Sequence, residues 1–154
     1  MYAVIAIGLM VILPVVSIAV ELALRHTADI LLLVGTWFTF WGIGVRLMIA
    51  GLNQVIRPGF TAQNIFKIDA PEALAIVTEL GNANVAFGLI GILSLPFPGF
   101  LMPAAIAGGL FLALDAVVHL RRKERDVDEN IALVTDLVIP VATVFYLTKA
   151  LGVL

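Results

Sequence analysis

The 154-residue chain has no cysteine, which excludes disulfides, thiolate nucleophiles and cysteine-ligated metals or clusters. Charge is scarce too. Asp, Glu, Lys and Arg make up 13% of the residues, about half the share of a soluble domain. Nine cations against eleven acids leave a net charge of −2, so there is no basic surface and nucleic acid is excluded as a partner. The alternation of a barrel strand is missing, as is any internal repeat.

What the chain does have is apolar: 62% of its residues are hydrophobic, and the mean hydropathy is +1.11. A soluble domain of this size could not hide so much apolar side chain, so the lipid bilayer is the expected surrounding. Backbone groups in hydrocarbon must be paired within their own segment, which makes helices the expected element.

About 20 apolar residues cross a bilayer core. Five runs qualify, at residues 2–24, 30–52, 72–95, 100–120 and 131–151. They predict an all-α, polytopic membrane helix bundle forming one domain over residues 1–154 of a multi-pass cell-membrane protein. The first run lacks a basic n-region, so it reads as a retained span and not as a cleaved signal. Asp29 is placed to cap the second span and Pro71 to open the third. A short interfacial helix is expected after Pro58.

Orientation follows from loop cations. With the N-terminus inside, Arg57, Lys67, Arg121, Arg122, Lys123 and Arg125 are cytoplasmic, and Arg25 and Lys149 are outside. Six against two predicts N-in, C-out. The run from Arg121 to Glu129 reads as a solvated loop carrying that signal.

Ionisable residues inside spans are costly and mark either function or a structural network. Arg46, Glu79, Asp115 and Asp136 each fall five to seven residues from the cytoplasmic end of their span. At 1.5 Å per residue they would share a layer roughly 7–11 Å below that surface. Arg46 continues a stripe of Gly35, Thr39 and Gly42, and Asp115 and His119 share a helix face at i, i+4. Glu79 shares a face with Asn82 and Ala86, while Asn84, Gly88 and Gly91 form a second face suited to helix packing. Pro140 frees the backbone carbonyl of Asp136.

Arg46, Glu79, Asn82, Asp115, His119 and Asp136 are therefore the candidate residues for binding a proton, a cation or a small polar ligand. One cation against three carboxylates calls for a proton, a His119 imidazolium or a bound cation to balance the layer. Plainer readings stand beside this one. Arg46 with Glu79 could be structural glue, and Asp115 with His119 could be interfacial. Glu79, Asp115, His119 and Asp136 are suitable metal-ligand types, but no tight ligand spacing joins them and no metal is assigned. Glu21, on one stripe with Ser17 and Pro14, reads as a helix-end carboxylate. Trp37 and Trp41 read as packing or interface anchors. Ala104 and Gly108 form a small-residue contact.

Glu79-Leu80-Gly81-Asn82-Ala83-Asn84, continuing through Gly88 and Gly91, resembles a segment of a prokaryotic family of small multi-spanning membrane proteins known only as a domain of unknown function. His119 followed by Asn130, and Thr135-Asp136-Leu137-Val138-Ile139-Pro140, are similar to two further segments of it. Asn53-Gln54 ahead of Pro58, and Val118 before His119, depart from the family's His and Gly. The resemblance covers about the second half of the chain. It implies a compact helical bundle and no particular activity.

The leading expectation is a binding or transport-like membrane protein. A membrane enzyme acting on a lipid or quinone through His119 and Asp115 is the alternative. A non-catalytic subunit or scaffold, whose charged layer only fixes helix register, is the third reading; a homo-oligomer is compatible with each of them. The sequence assigns neither a cofactor nor a catalytic residue.

Overall fold

The computed structural model describes residues 5, 7–24, 29–121 and 127–153, without the side chains of 127–129 and 132. Arg25, Arg122, Lys123 and Arg125, all used in the loop-cation count, lie outside the described residues, as does the start of the first expected span. Among the described residues all regular structure is helical and no strand is present. We label the helices α1 (Gly8–Leu24), α2 (Ile30–Ile56), α3 (residues 58–65), α4 (Glu72–Leu93), α5 (Leu101–Arg121) and α6 (Val127–Ala150). Four segments, Ile30–Ile56, Glu72–Leu93, Pro98–Arg121 and Leu133–Ala150, are long and apolar enough to cross a membrane. Gly8–Leu24 is apolar but shorter.

Helix ends follow local chemistry. The Asp29 carboxylate accepts from the backbone N–H groups of Leu31 and Leu32, satisfying two of the orphan donors that open α2. Thr39–Val45 within α2 is π-helical and leads directly into Arg46. The helix then runs to Ile56, four residues beyond the expected end at Leu52. Pro58 sets that limit by forcing Arg57 out of helical geometry, to φ −135° and ψ 60°. The helix expected after Pro58 is there. Its Thr61 and Ala62 are buried, and Ala62 packs with Ala73 and Val77 of α4 under Phe66. It ends with Lys67 in left-handed geometry at φ 59°, while the Ile68 N–H reaches back to the Ala62 carbonyl.

Two sets of glycines fix how the helices meet. On one face of α2, Gly35 sits under the ring of Tyr146 and Gly42 under the side chain of Ile139, both on α6. Seven residues forward on α2 thus match seven back on α6, so the two run antiparallel. Elsewhere on α2, Gly44 abuts Gly91 and Ile92 of α4, and Gly51 abuts Gly81 and Val85. There the contact is backbone on backbone. A Cβ added at Gly44 would lie 2.7 Å from the Ile92 nitrogen. Gly108 and Gly109 of α5 admit Ile43 and Thr143. The apolar core, including Met10, Phe38, Ile43, Leu112 and Ile139, lies where these helices converge.

Candidate functional site

The stripe Gly35, Thr39, Gly42 and Arg46 faces α6, and its charged end meets a carboxylate there. Arg46 Nη2 lies 2.6 Å from Asp136 Oδ1. The Asp136 side chain is 3% exposed and that of Arg46 17%. The glycines make this pair possible: without a Cβ at positions 35 and 42, α6 approaches closely enough for Asp136 to reach the guanidinium. Pro140, four residues on, has no N–H for the Asp136 carbonyl, so the backbone here is polar as well.

The third component comes from α5. His119 Nε2 lies 3.9 Å from Asp136 Oδ2, at ion-pair distance but beyond hydrogen-bonding reach. Asp115, one turn earlier on the same face, is half-buried and close enough to Asp136, Arg46 and His119 to interact with their charges. One guanidinium, two carboxylates and an imidazole thus form a cluster at the junction of α2, α5 and α6. If the imidazole is neutral the cluster carries one excess negative charge; a single proton balances it.

Of the six candidates, the structure brings together Arg46, Asp115, His119 and Asp136. Glu79 and Asn82 are elsewhere. Both are exposed on α4, on the side away from α2, and Ala86 beside them is exposed as well. The expected pairing of Arg46 with Glu79 is therefore replaced by Arg46 with Asp136. Register is the physical reason. Gly81 lies against Gln54 and Val55, so Glu79 is level with the last residues of α2, whereas Arg46 is ten residues before that end. At 1.5 Å per residue the two are about 15 Å apart along the helix axis.

The packing face of α4 is as expected. Gly88 and Gly91 meet the α2 backbone, and Asn84 Nδ2 donates to Gln54 Oε1 at 2.7 Å. The Asn84 Oδ1 and the Thr39 hydroxyl are buried with no hydrogen-bond partner among the described residues. Among the described residues, no three His, Asp or Glu side chains converge as a metal site would require.

Two contacts went unread in the sequence. Trp37 Nε1 donates to Glu21 Oε2 at 2.8 Å, and Trp41 Nε1 donates to Ser17 Oγ at 3.0 Å. Both residue pairs are spaced i, i+4, so two antiparallel helices can make both bonds at once, and that spacing was the available signal. Lys149 near the end of α6 pairs with Asp29 at the start of α2. This pair, with the backbone bond from Leu32, holds the Asp29 carboxyl below its ordinary range.

The class is that of a helical bundle in which four helices are long and apolar enough to cross a membrane, joined internally by an ion pair between α2 and α6. The chain belongs to a family of unknown function, DUF6790, which it matches over residues 2–150. No curated protein and no solved structure matches it.

Proposed function

We propose that the chain is a multi-pass membrane protein whose Arg46–Asp136–His119–Asp115 cluster takes up and releases a proton inside the bundle. The membrane reading rests on the outer surface, where Val16, Ile76, Leu110, Leu114, Val141 and Phe145 are all exposed. Water would tolerate so broad an apolar surface poorly, whereas lipid requires it. In this reading Gly8–Leu24 belongs to a fifth span. The N-terminus is then inside and the C-terminus outside, and Arg57, Lys67 and Arg121 fall on the cytoplasmic side. The whole chain acts as one domain.

The carrying observation is the burial of Asp136 between a guanidinium and an imidazole, with a second carboxylate close by. With Glu79 outside the cluster, the imbalance is one charge. A proton on His119 or on a carboxyl removes it, which favours proton binding over a multivalent cation. The groups lie on three different helices, so a change in protonation alters how those helices attract one another.

Infrared-monitored pH titration of the purified protein in lipid tests this. The wild type is expected to show a carboxyl titration step that is displaced in Asp115→Asn and in His119→Gln. Identical titration curves for wild type and both variants would overturn the reading and leave the cluster as a structural tie.

A further inference from the structure

We propose that the outward face of α4 is the contact surface for a second copy of this chain, joined through Asn82. The proposal rests on the membrane reading above. Glu72, Ala75, Glu79, Asn82, Ala86 and Leu89 are all exposed, and their spacing alternates three and four residues along the helix. That is the spacing of a coiled-coil seam. The opposite side of the helix, with Gly81, Asn84, Gly88 and Gly91, is already occupied by α2. Only 28% of the apolar window of α4 is buried, against 39–44% for the other three long helices, so α4 is the least covered of the four.

The polar content of the seam requires a partner. Asn82 lies ten residues into a 22-residue helix, near its middle, and neither it nor Glu79 has a hydrogen-bond or ion-pair partner among the described residues. In the proposed topology Glu72 and Glu79 fall toward the cytoplasmic end, where carboxylates reach water. The Asn82 amide, deeper in the bilayer, faces hydrocarbon that offers it no hydrogen bond. The exposed faces of α5 (Leu110, Leu114, Val117) and α6 (Val134, Val141, Phe145) are apolar and need no such partner in lipid.

Hydrogen-bond complementarity points to a second copy as the occupant. An amide carries a donor and an acceptor together, so two Asn82 side chains related by a two-fold axis satisfy each other. Ala75 and Ala86, one or two turns to either side, let the two α4 backbones approach closely enough for that bond. A single polar residue within a heptad seam also fixes the register of the pair.

The chain has no cysteine, so single thiols report this contact without background. Ala86→Cys and Leu110→Cys, both exposed, would be compared in native membranes under copper–phenanthroline oxidation. Disulfide-linked dimer is expected at least about fivefold more abundant for Ala86→Cys. Adding Asn82→Leu to that variant should lower the dimer-to-monomer ratio about threefold to tenfold, the size of effect expected from losing one interhelical side-chain hydrogen bond. Equal yields at the two positions, or a ratio unmoved by Asn82→Leu, would overturn the dimer. An alkaline carbonate wash of the same membranes separates the two failures. Release of the chain sinks the membrane reading, whereas retention without cross-linking sinks the dimer alone.

Discussion

The two sets of glycines in α2 do different work. Gly35 and Gly42 receive side chains of α6, and the space they leave brings Asp136 to Arg46. Gly44 and Gly51 have α4 main chain as their nearest neighbours, with the Val85 side chain beside Gly51 as well. The contact at Gly42 can give way, because an added methyl meets first the mobile end of Ile139, whereas at Gly35 it meets the base of the Tyr146 side chain, which no rotamer change clears. The contacts at Gly44 and Gly51 cannot give way either, because main chain faces main chain there.

The sharpest break in this comparison is Arg46→Met, which leaves Asp136 buried without its cation. It is expected to cost about 3–5 kcal/mol, read from denaturant midpoints in detergent. Combining it with Asp136→Leu should recover much of that loss, because the uncompensated charge is gone. Gly44→Ala comes next, at about 1–3 kcal/mol, from forcing α2 and α4 apart. Gly42→Ala should cost less, about 1 kcal/mol or below, because the atom it meets first is the mobile end of Ile139. A larger loss at position 42 than at 44 would reverse the distinction.

The smallest effect concerns Lys149 and Asp29, which join the same two helices in the open. The Asp29 carboxyl is held below its ordinary range, so its contribution is present above the unfolded value and fades as the pH falls through the folded one. Lys149→Met should flatten the acid limb of the thermal-midpoint profile below about pH 4 and change little at neutral pH.

Much of the bundle was legible from composition and periodicity. The Asp29 cap, the Pro71 start, the helix after Pro58 and the two-faced α4 follow from local rules that tertiary structure did not override. The membership of the charged cluster was legible only in part. Helix–helix register decides it: α4 begins about seven residues beyond the end of α2, and α2 itself runs on past Leu52 to Ile56, so Glu79 lies level with that end and far from Arg46. The Gly44–Gly91 and Gly51–Gly81 pairs contain the missing register, but it can be read only once α2 and α4 are known to be neighbours. Which neighbour each glycine served was not encoded locally. For the bonds from Trp37 and Trp41 to Glu21 and Ser17 the matched i, i+4 spacings are the only local trace, since tryptophan suits an interface as readily as a buried contact.

Arg46 and Lys149 tie α2 and α6 together at two rungs about 20–25 Å apart along the helices. The outer rung lies in the open and weakens as ionic strength rises, while the inner one is shielded from added salt. Any sliding of α6 past α2 has to strain both. Raising the salt concentration therefore frees one rung only, and the shear stiffness that survives in strong salt belongs to Arg46 and its neighbours.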